Sequence, residues 1–314
     1  MSEQTRTEEP QPQSAGESRQ RRPRTRLSMR VKVLAVLAAA IVVVALLAPL
    51  IVPYDPYEQD LSQALMAPSA QHLAGTDRYG RDLLSRVLIG AQSSILYTFA
   101  LVAIAAAVGT SIGMLAGWRG GRLDSVLMRT SDVFLAFPGL VFALAVAGVM
   151  GGGMMGAVIA LAAISWPRYA RLSRSLTLSQ KNLPYLDAAR LSGCSTARLI
   201  ASHVLPNIAG PLLVTAMLDI GAMMMELAGL SFLGLGAQAP SAEWGSMLSD
   251  SRNLLQTAPW TMAAPGIAIF VTVAVFNLLG DSVRDQMDPD STQRRKWRRR
   301  VLAGNKGSNR EELA

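Results

Sequence analysis

The sequence predicts an all-α integral membrane protein with six transmembrane helices. Half of its 314 residues are hydrophobic and only 17% are charged, whereas soluble domains are about a quarter charged. The hydrophobic residues form uncharged runs long enough to cross the roughly 30 Å hydrocarbon core of a bilayer. The net charge of +8 comes largely from arginines and lysines in the tails and in short loops beside those runs. This distribution follows the positive-inside rule and argues against a nucleic-acid partner.

The first predicted region covers residues 31–90 and holds an anchor helix followed by an extracytoplasmic segment. Residues 1–30 before it are polar with a basic end, which predicts a disordered cytoplasmic tail. The run 33–52 has no polar side chain and is long enough to span the membrane. A signal peptide is the alternative, but the run is long for a signal core and lacks a small-x-small cleavage site before Pro53.

The second predicted region, residues 91–289, is a core of five further helices. The runs that give these spans are 95–118, 133–167 (which the glycines 151–153 divide into two), about 208–235 and about 258–280. In the first of these runs Gly109, Gly113 and Gly117 recur every four residues, a spacing that lets another helix approach closely. The two long outer loops hold only four basic residues, so both termini, including the basic tail 290–314, are expected in the cytoplasm.

The segment 187–207 is polar and basic, although it lies between two membrane-length runs. Pro184 suits the start of a short helix, and Asp187 then lies in its first turn, where a negative charge favours the helix dipole. Gly193 permits a sharp turn, and a second short helix is expected to end at Pro206. An ordinary surface helix-turn-helix is the alternative interpretation.

The chain contains no residues that indicate catalysis or metal binding. It has no Gly-x-x-x-x-Gly-Lys-Ser/Thr phosphate loop, so ATP hydrolysis is not expected here. Cys194 is its only cysteine, which excludes an internal disulfide and a cysteine-based zinc site. His72 and His203 lie far apart in sequence, and no metal-ligand spacing is present. Nothing therefore supports a membrane-embedded enzyme.

The segment 187–207 resembles the cytoplasmic coupling loop of ABC importer permeases. The resemblance rests on an acid followed by two alanines, then glycine, then Leu-Pro, at Asp187, Ala188, Ala189, Gly193, Leu205 and Pro206. Three more runs, 73–90, 230–247 and 265–289, are similar to signatures of the peptide and nickel class of these permeases. The matches cover roughly residues 30 to 290 in order, and they indicate the C-type subunit of such an importer.

This resemblance implies a type I ABC importer permease in a bacterial or archaeal inner membrane. In that family the loop docks into a groove on a separate ATPase, so the loop 182–207 is expected to couple ATP hydrolysis to transport. The implied partners are a homologous permease forming a heterodimer, two ABC ATPases that bind ATP and Mg²⁺, and an extracytoplasmic binding protein. No cofactor is expected in this chain itself. A secondary ion-coupled transporter and a non-transport membrane scaffold are the alternatives.

Asp219, Met223 and Glu226 are the candidate pathway-lining residues. The two acids are seven residues apart in the fifth span and share one helix face. Acids at membrane depth usually face a bundle interior or a water-filled path, where they would favour a cationic cargo. The alternatives are a position nearer the interface or pairing with a partner's arginines. Nickel-type members often carry histidines where this chain has Ala222 and Glu226, so peptide and nickel both stay open as cargo.

Five residues of the outer segments are candidates either for contact with a binding protein or for a folded elbow held by salt bridges. These residues are Asp77, Arg81, Asp82, Glu243 and Trp244. For Trp244, an anchor at the membrane–water interface is the favoured interpretation, because tryptophan is enriched there.

Overall fold

The computed structural model describes residues 28–287. Within that range the regular structure is helical, apart from an isolated bridge between Thr76 and Asp82. The tails predicted at 1–30 and 290–314 lie outside the described residues, except for residues 28–30. The helices are α1 Met29–Ile51, α2 Leu83–Arg119, α3 Gly121–Ala136, α4 Gly139–Val149, α5 Met154–Lys181, α6 Pro184–Leu191, α7 Thr196–Leu199, α8 Leu205–Phe232, α9 Trp244–Ser251 and α10 Trp260–Met287.

The centre of the bundle is the pair α2 and α5, which pack along most of their length. The predicted close approach at the glycine stripe of α2 is confirmed. A Cβ atom on Gly109 or Gly113 would collide with the backbone of α5, and one on Gly117 would lie 2.9 Å from the Arg174 carbonyl oxygen. Ser173 of α5 sits in this contact and donates its hydroxyl to the Thr110 carbonyl oxygen at 3.3 Å.

Helix α2 begins twelve residues before the predicted start at residue 95. Asp82 caps it, because its carboxylate accepts a hydrogen bond from the Ser85 amide at 2.8 Å. The charged residue Arg86 lies in the first turns of α2, and a charge there favours a loop over a membrane span in the sequence. In the fold Arg86 is buried, and its Nε lies 3.6 Å from Asp77 Oδ2. The predicted division between regions at residues 90 and 91 therefore falls inside α2.

The predicted third span is not one straight helix. It is broken between α3 and α4, whose axes differ by 92°. Phe137 is extended, with φ −85° and ψ 143°, and Pro138 follows it as the N-cap of α4. A residue before proline avoids the helical region, so the break has a local cause in the sequence. The predicted turn at 151–153 is confirmed, because all three glycines have positive φ.

Helix α5 continues fourteen residues beyond the predicted end at Pro167. Its second half is basic, and Arg174 and Arg171 pair with Asp124 and Asp132 of α3. Within residues 28–287, four helical spans are long and apolar enough to cross a membrane: α1, α2, α10 and the continuous stretch Thr196–Phe232. The bent α3–α4 pair raises the number to five. Helix α5 falls short because of its arginines, so the count of six stays a prediction.

We expect Gly113→Ala to destabilise the fold, because the added methyl group would press into the Ala170 carbonyl and the Ser173 side chain of α5. Overpacking of this kind costs roughly 1–3 kcal/mol. The measurement is the Tm of the detergent-solubilised protein, with Gly229→Ala as the control, because a Cβ there meets nothing within 4 Å. Equal Tm values for the two variants would contradict the backbone contact.

Candidate functional site

The segment 184–204 forms two short helices joined by a tight turn. Pro184 opens α6 and Asp187 lies in its first turn, as predicted. Gly193 has φ +82°, the left-handed conformation that glycine adopts most easily. The amide of Gly193 donates to the Arg190 carbonyl and that of Cys194 donates to the Ala189 carbonyl, which is the Schellman arrangement at a helix end. The predicted turn at Gly193 is confirmed.

The two short helices are anchored to the bundle on one side only. Leu186 and Leu199 are almost fully buried and pack with Tyr169 of α5 and Ile208 of α8. The Arg190 guanidinium lies 5.2 Å from the centre of the Trp118 ring at the end of α2.

The opposite surface of this segment is open. The Leu191 side chain is 90% exposed, and Asp187, Ala188 and Gly193 are also exposed. The anchored and the exposed residues of the segment therefore lie on different faces of the two short helices.

Pro206 does not end the second short helix, contrary to the prediction. A single π turn, Ile200–Val204, follows α7, and the Leu205 amide donates to the Ile200 carbonyl five residues earlier. Helix α8 then starts with Leu205 and Pro206 in its first turn. Pro206 has no N–H group to donate to the preceding turn, and the wider π turn lies directly before α8. The segment is therefore joined to α8 without a loop.

Asp219 lies on the buried face of α8 and is paired within the chain. Arg168 of α5 places its Nη1 atom 2.6 Å from Asp219 Oδ1. The Asp219 side chain is 8% exposed, whereas that of Arg168 is 60% exposed. The alternative that predicts pairing with a partner's arginine therefore differs from the structure in one respect. Asp219 does pair with an arginine, but that arginine belongs to this chain.

Met223 and Glu226 lie one and two turns further along α8. Together with Arg168 and Asp219 they line a cavity of about 150 Å³. The remaining walls are side chains of α5 and of the α3–α4 break: Phe134, Leu135, Phe137, Gly139, Ile164 and Ser165. The structure therefore brings all three predicted pathway residues to one cavity. Its charge is mixed, because Arg168 accompanies the two acids.

The segment before α2 is a folded elbow built on buried charges. Asp77 Oδ2 accepts a hydrogen bond from Arg81 Nε at 2.7 Å, and Asp82 Oδ1 lies 2.9 Å from His72 Nδ1. Asp77, Arg81 and Asp82 are at most 8% exposed. Burial of an ion pair requires such complete pairing. These three side chains are therefore occupied inside the elbow, and any contact with another protein would have to use their exposed neighbours.

Glu243 caps α9 from a fully buried position. Its carboxylate accepts hydrogen bonds from the amides of Gly245 and Ser246 at 2.9 and 2.8 Å, and from the Ser94 hydroxyl at 3.1 Å. Burial raises the pKa of the Glu243 carboxyl, while the backbone hydrogen bonds act in the opposite direction. This residue ties the outer loop to α2.

Trp244 is not an interfacial anchor, contrary to the favoured interpretation. Its side chain is part of the core, at 2% exposure, and its Nε1 donates to the Val87 carbonyl of α2 at 2.9 Å. An anchor would keep the indole at the headgroup level. Trp244 instead fills the space above Gly90, where an added Cβ would lie 2.9 Å from its ring.

The charge pattern of the sequence does not single out Arg168, because it directly follows the uncharged run 133–167 together with other basic residues. The signal was its place directly after Pro167 at the end of an uncharged run. Among residues 28–287, no group of three His, Cys, Asp or Glu side chains is arranged to hold a metal ion.

Comparison with solved structures defines the class of fold. The structure of the MetNI methionine ABC transporter in an inward-facing conformation superposes with a TM-score of 0.52. The match covers 65% of this chain and 96% of that one, at 18% sequence identity. The fold is therefore that of an ABC importer permease.

The sequence comparisons identify the family. Residues 109–293 match the binding-protein-dependent transport system inner membrane component, and residues 33–68 match the N-terminal transmembrane domain of oligopeptide transport permease C. The chain belongs to this family and is a permease subunit of a binding-protein-dependent importer.

Relatives with different named cargoes are similarly close. A probable D,D-dipeptide permease of Escherichia coli is 44% identical over 82% of this chain and 87% of its own length. A nickel permease of Escherichia coli is 41% identical over 81% of this chain and 92% of its own length. A dipeptide permease of Alkalihalophilus pseudofirmus is 40% identical over 81% and 84%.

We expect Glu243→Ala to destabilise the outer loop, because the amides of Gly245 and Ser246 lose their acceptor inside the protein. Loss of a buried cap of this kind costs roughly 1–2 kcal/mol. The measurement is the Tm of the solubilised protein, with Glu58→Ala as the control, since Glu58 is exposed. If both variants melt together, Glu243 does not hold the loop.

Proposed function

We propose that this chain forms half of the translocation pathway of an ATP-driven importer and that segment 184–204 transmits the ATPase motion to it. The observation that carries the proposal is the geometry of this segment. It is anchored through Leu186 and Leu199, presents Asp187, Ala188 and Leu191 outward, and continues into α8 without a loop. A force applied to the exposed side would therefore be passed to the helix that carries Asp219.

The proposed assembly contains a homologous permease subunit, two ABC ATPases that bind ATP and Mg²⁺, and an extracytoplasmic binding protein. The absence of a phosphate loop from the sequence supports separate ATPases. Membership of the binding-protein-dependent permease family supports this set of partners. The chain itself is proposed to need no cofactor.

The proposed cargo is a small peptide, nickel or a metal chelate. Relatives named for D,D-dipeptide, dipeptide and nickel transport are 40–44% identical to this chain. Because relatives with different named cargoes have similar sequence identity to this chain, we assign the choice among these cargoes to the binding protein. Purifying that protein and identifying its ligand by mass spectrometry tests the assignment, and a sugar or an inorganic anion as ligand would reject it.

The proposed location is a bacterial or archaeal inner membrane with both termini in the cytoplasm. The basic residues at the inner ends of the spans support this orientation. It places the segment 184–204 in the cytoplasm, and it places the elbow before α2 and the loop with α9 on the outer side.

We expect Gly193→Val to uncouple ATP hydrolysis from uptake. Valine at φ +82° costs roughly 1–2 kcal/mol, so the turn shifts and the exposed surface no longer fits its partner. At wild-type expression, uptake should fall to about a tenth or less, while the ATPases remain active. The measurements are uptake and ATP hydrolysis in proteoliposomes.

Gly151→Val is the matched control. Gly151 also has a positive φ, at +79°, but it lies in the turn between α4 and α5. We expect this control to lower stability without uncoupling. Wild-type uptake by the Gly193 variant would reject the role of the segment.

We expect Cys194 to react with a membrane-impermeant maleimide in inverted vesicles and not in intact cells, because the proposed orientation places it in the cytoplasm. A control chain with Cys194→Ser and Gln256→Cys should show the reverse pattern, since Gln256 is exposed in the proposed outer loop. Labelling of Cys194 from outside would overturn the orientation.

A further inference from the structure

The Arg168–Asp219 ion pair lies where two cavities meet. The cavity of about 150 Å³ described above extends along α8 toward Glu226. A second cavity, of about 620 Å³, extends the other way toward Pro211, at the end of α8 that joins segment 184–204. In the part of the chain that the structure describes, Arg168 and Asp219 are the only residues that line both.

The pair lies between the two cavities along the axis of α8. Glu226 lies about 10 Å beyond Asp219 and Pro211 about 12 Å before it, at a rise of roughly 1.5 Å per residue. The larger cavity is lined by Arg168 and Leu172 of α5, by side chains of α8, and by Arg284 and Met287 at the end of α10.

The two partners differ in a way that allows the pair to open. Asp219 is buried on a helix face, whereas the Arg168 side chain is long and 60% exposed. Pro167 precedes Arg168 inside α5 and removes one hydrogen bond of that helix. Helices bend most readily at such prolines. A small bend at this point would carry the guanidinium away from the carboxylate.

We infer that the Arg168–Asp219 pair is a charged gate between two compartments of the transport pathway. When the pair is closed, the guanidinium and carboxylate block passage between the cavities; when α5 and α8 move apart, the cavities join. The inference rests on the proposed role of these helices as the pathway. It assigns to Arg168 a role that concerns passage and not cargo affinity.

The gate also has an electrostatic consequence. Asp219 presents its charge to cargo only when Arg168 has left it, because the closed pair is neutral. With the pair closed, Glu226 is the unpaired acid of this face of α8 that lines the smaller cavity. A cationic group on the cargo would therefore meet Asp219 unpaired only in the open state, where Arg168 and Arg284 still line the joined path.

The test measures access from one side of the membrane. In the assembled transporter without nucleotide, and in a Cys194→Ala background, Met223→Cys places a thiol in the smaller cavity. A small charged methanethiosulfonate reagent is added from the side of the membrane on which Cys194 of the unaltered chain reacts with maleimide. Thr215→Cys is the control, because Thr215 lines the larger cavity on that face.

With the pair intact, we expect the thiol at position 223 to react slowly and the thiol at 215 to react fast. Asp219→Asn or Arg168→Gln should raise the rate at 223 by about tenfold or more. Arg168→Lys should stay closed, and the exchange of Arg168→Asp with Asp219→Arg should restore slow reaction. The rate at position 215 should not change in any variant.

Equal rates at positions 223 and 215 with the pair intact would overturn the gate. An unchanged rate at position 223 after Asp219→Asn would also overturn the gate. The same holds if the exchanged pair, Arg168→Asp with Asp219→Arg, is present in the membrane at normal levels but the thiol at 223 still reacts fast. The assay needs no uptake, so failure of the Gly193→Val prediction would leave its result interpretable. The two proposals can thus fail separately.

Discussion

Where α2 and α5 cross, the lack of side chains at Gly109 and Gly113 lets the backbones of the two helices touch. Close contact of this kind is the main source of helix association in lipid, since the bilayer offers no hydrophobic driving force between helices. It fixes α5, and α5 in turn carries residues that contact both candidate sites. Tyr169 packs under segment 184–204, and Arg168 reaches Asp219.

Buried charged and acidic side chains are the second constraint, at the end of the bundle formed by the elbow and α9. Asp77, Arg81 and Arg86 form one cluster, and Glu243 caps α9 within contact distance of α2. Arg81 and Arg86 share the Asp77 carboxylate, Arg86 also donates to the Pro56 carbonyl at 3.1 Å, and Glu243 is held by hydrogen bonds without a counter-ion. The elbow and the α9 loop are therefore both tied to α2 through buried polar contacts.

The sequence was sufficient for features with local causes. The glycine stripe, the turn at Gly193 and the start of α6 at Pro184 follow from backbone preferences of single residues. The break at Pro138 also had a local signal, but it was hidden inside a long uncharged run. The pairing of Arg168 with Asp219 could not be read in this way, because it joins residues fifty-one positions apart and depends on how α5 and α8 are placed.

The π turn at Ile200–Val204 has a consequence for the orientation of the exposed surface. A π turn holds one residue more than an α turn, so it sets the rotational phase between α7 and α8. Removing one residue there would turn the short helices by about 100° around the axis of α8. Leu191 and Asp187 would then face a different direction while every helix stayed intact. The extra residue of the π turn thus determines the direction in which segment 184–204 projects from α8.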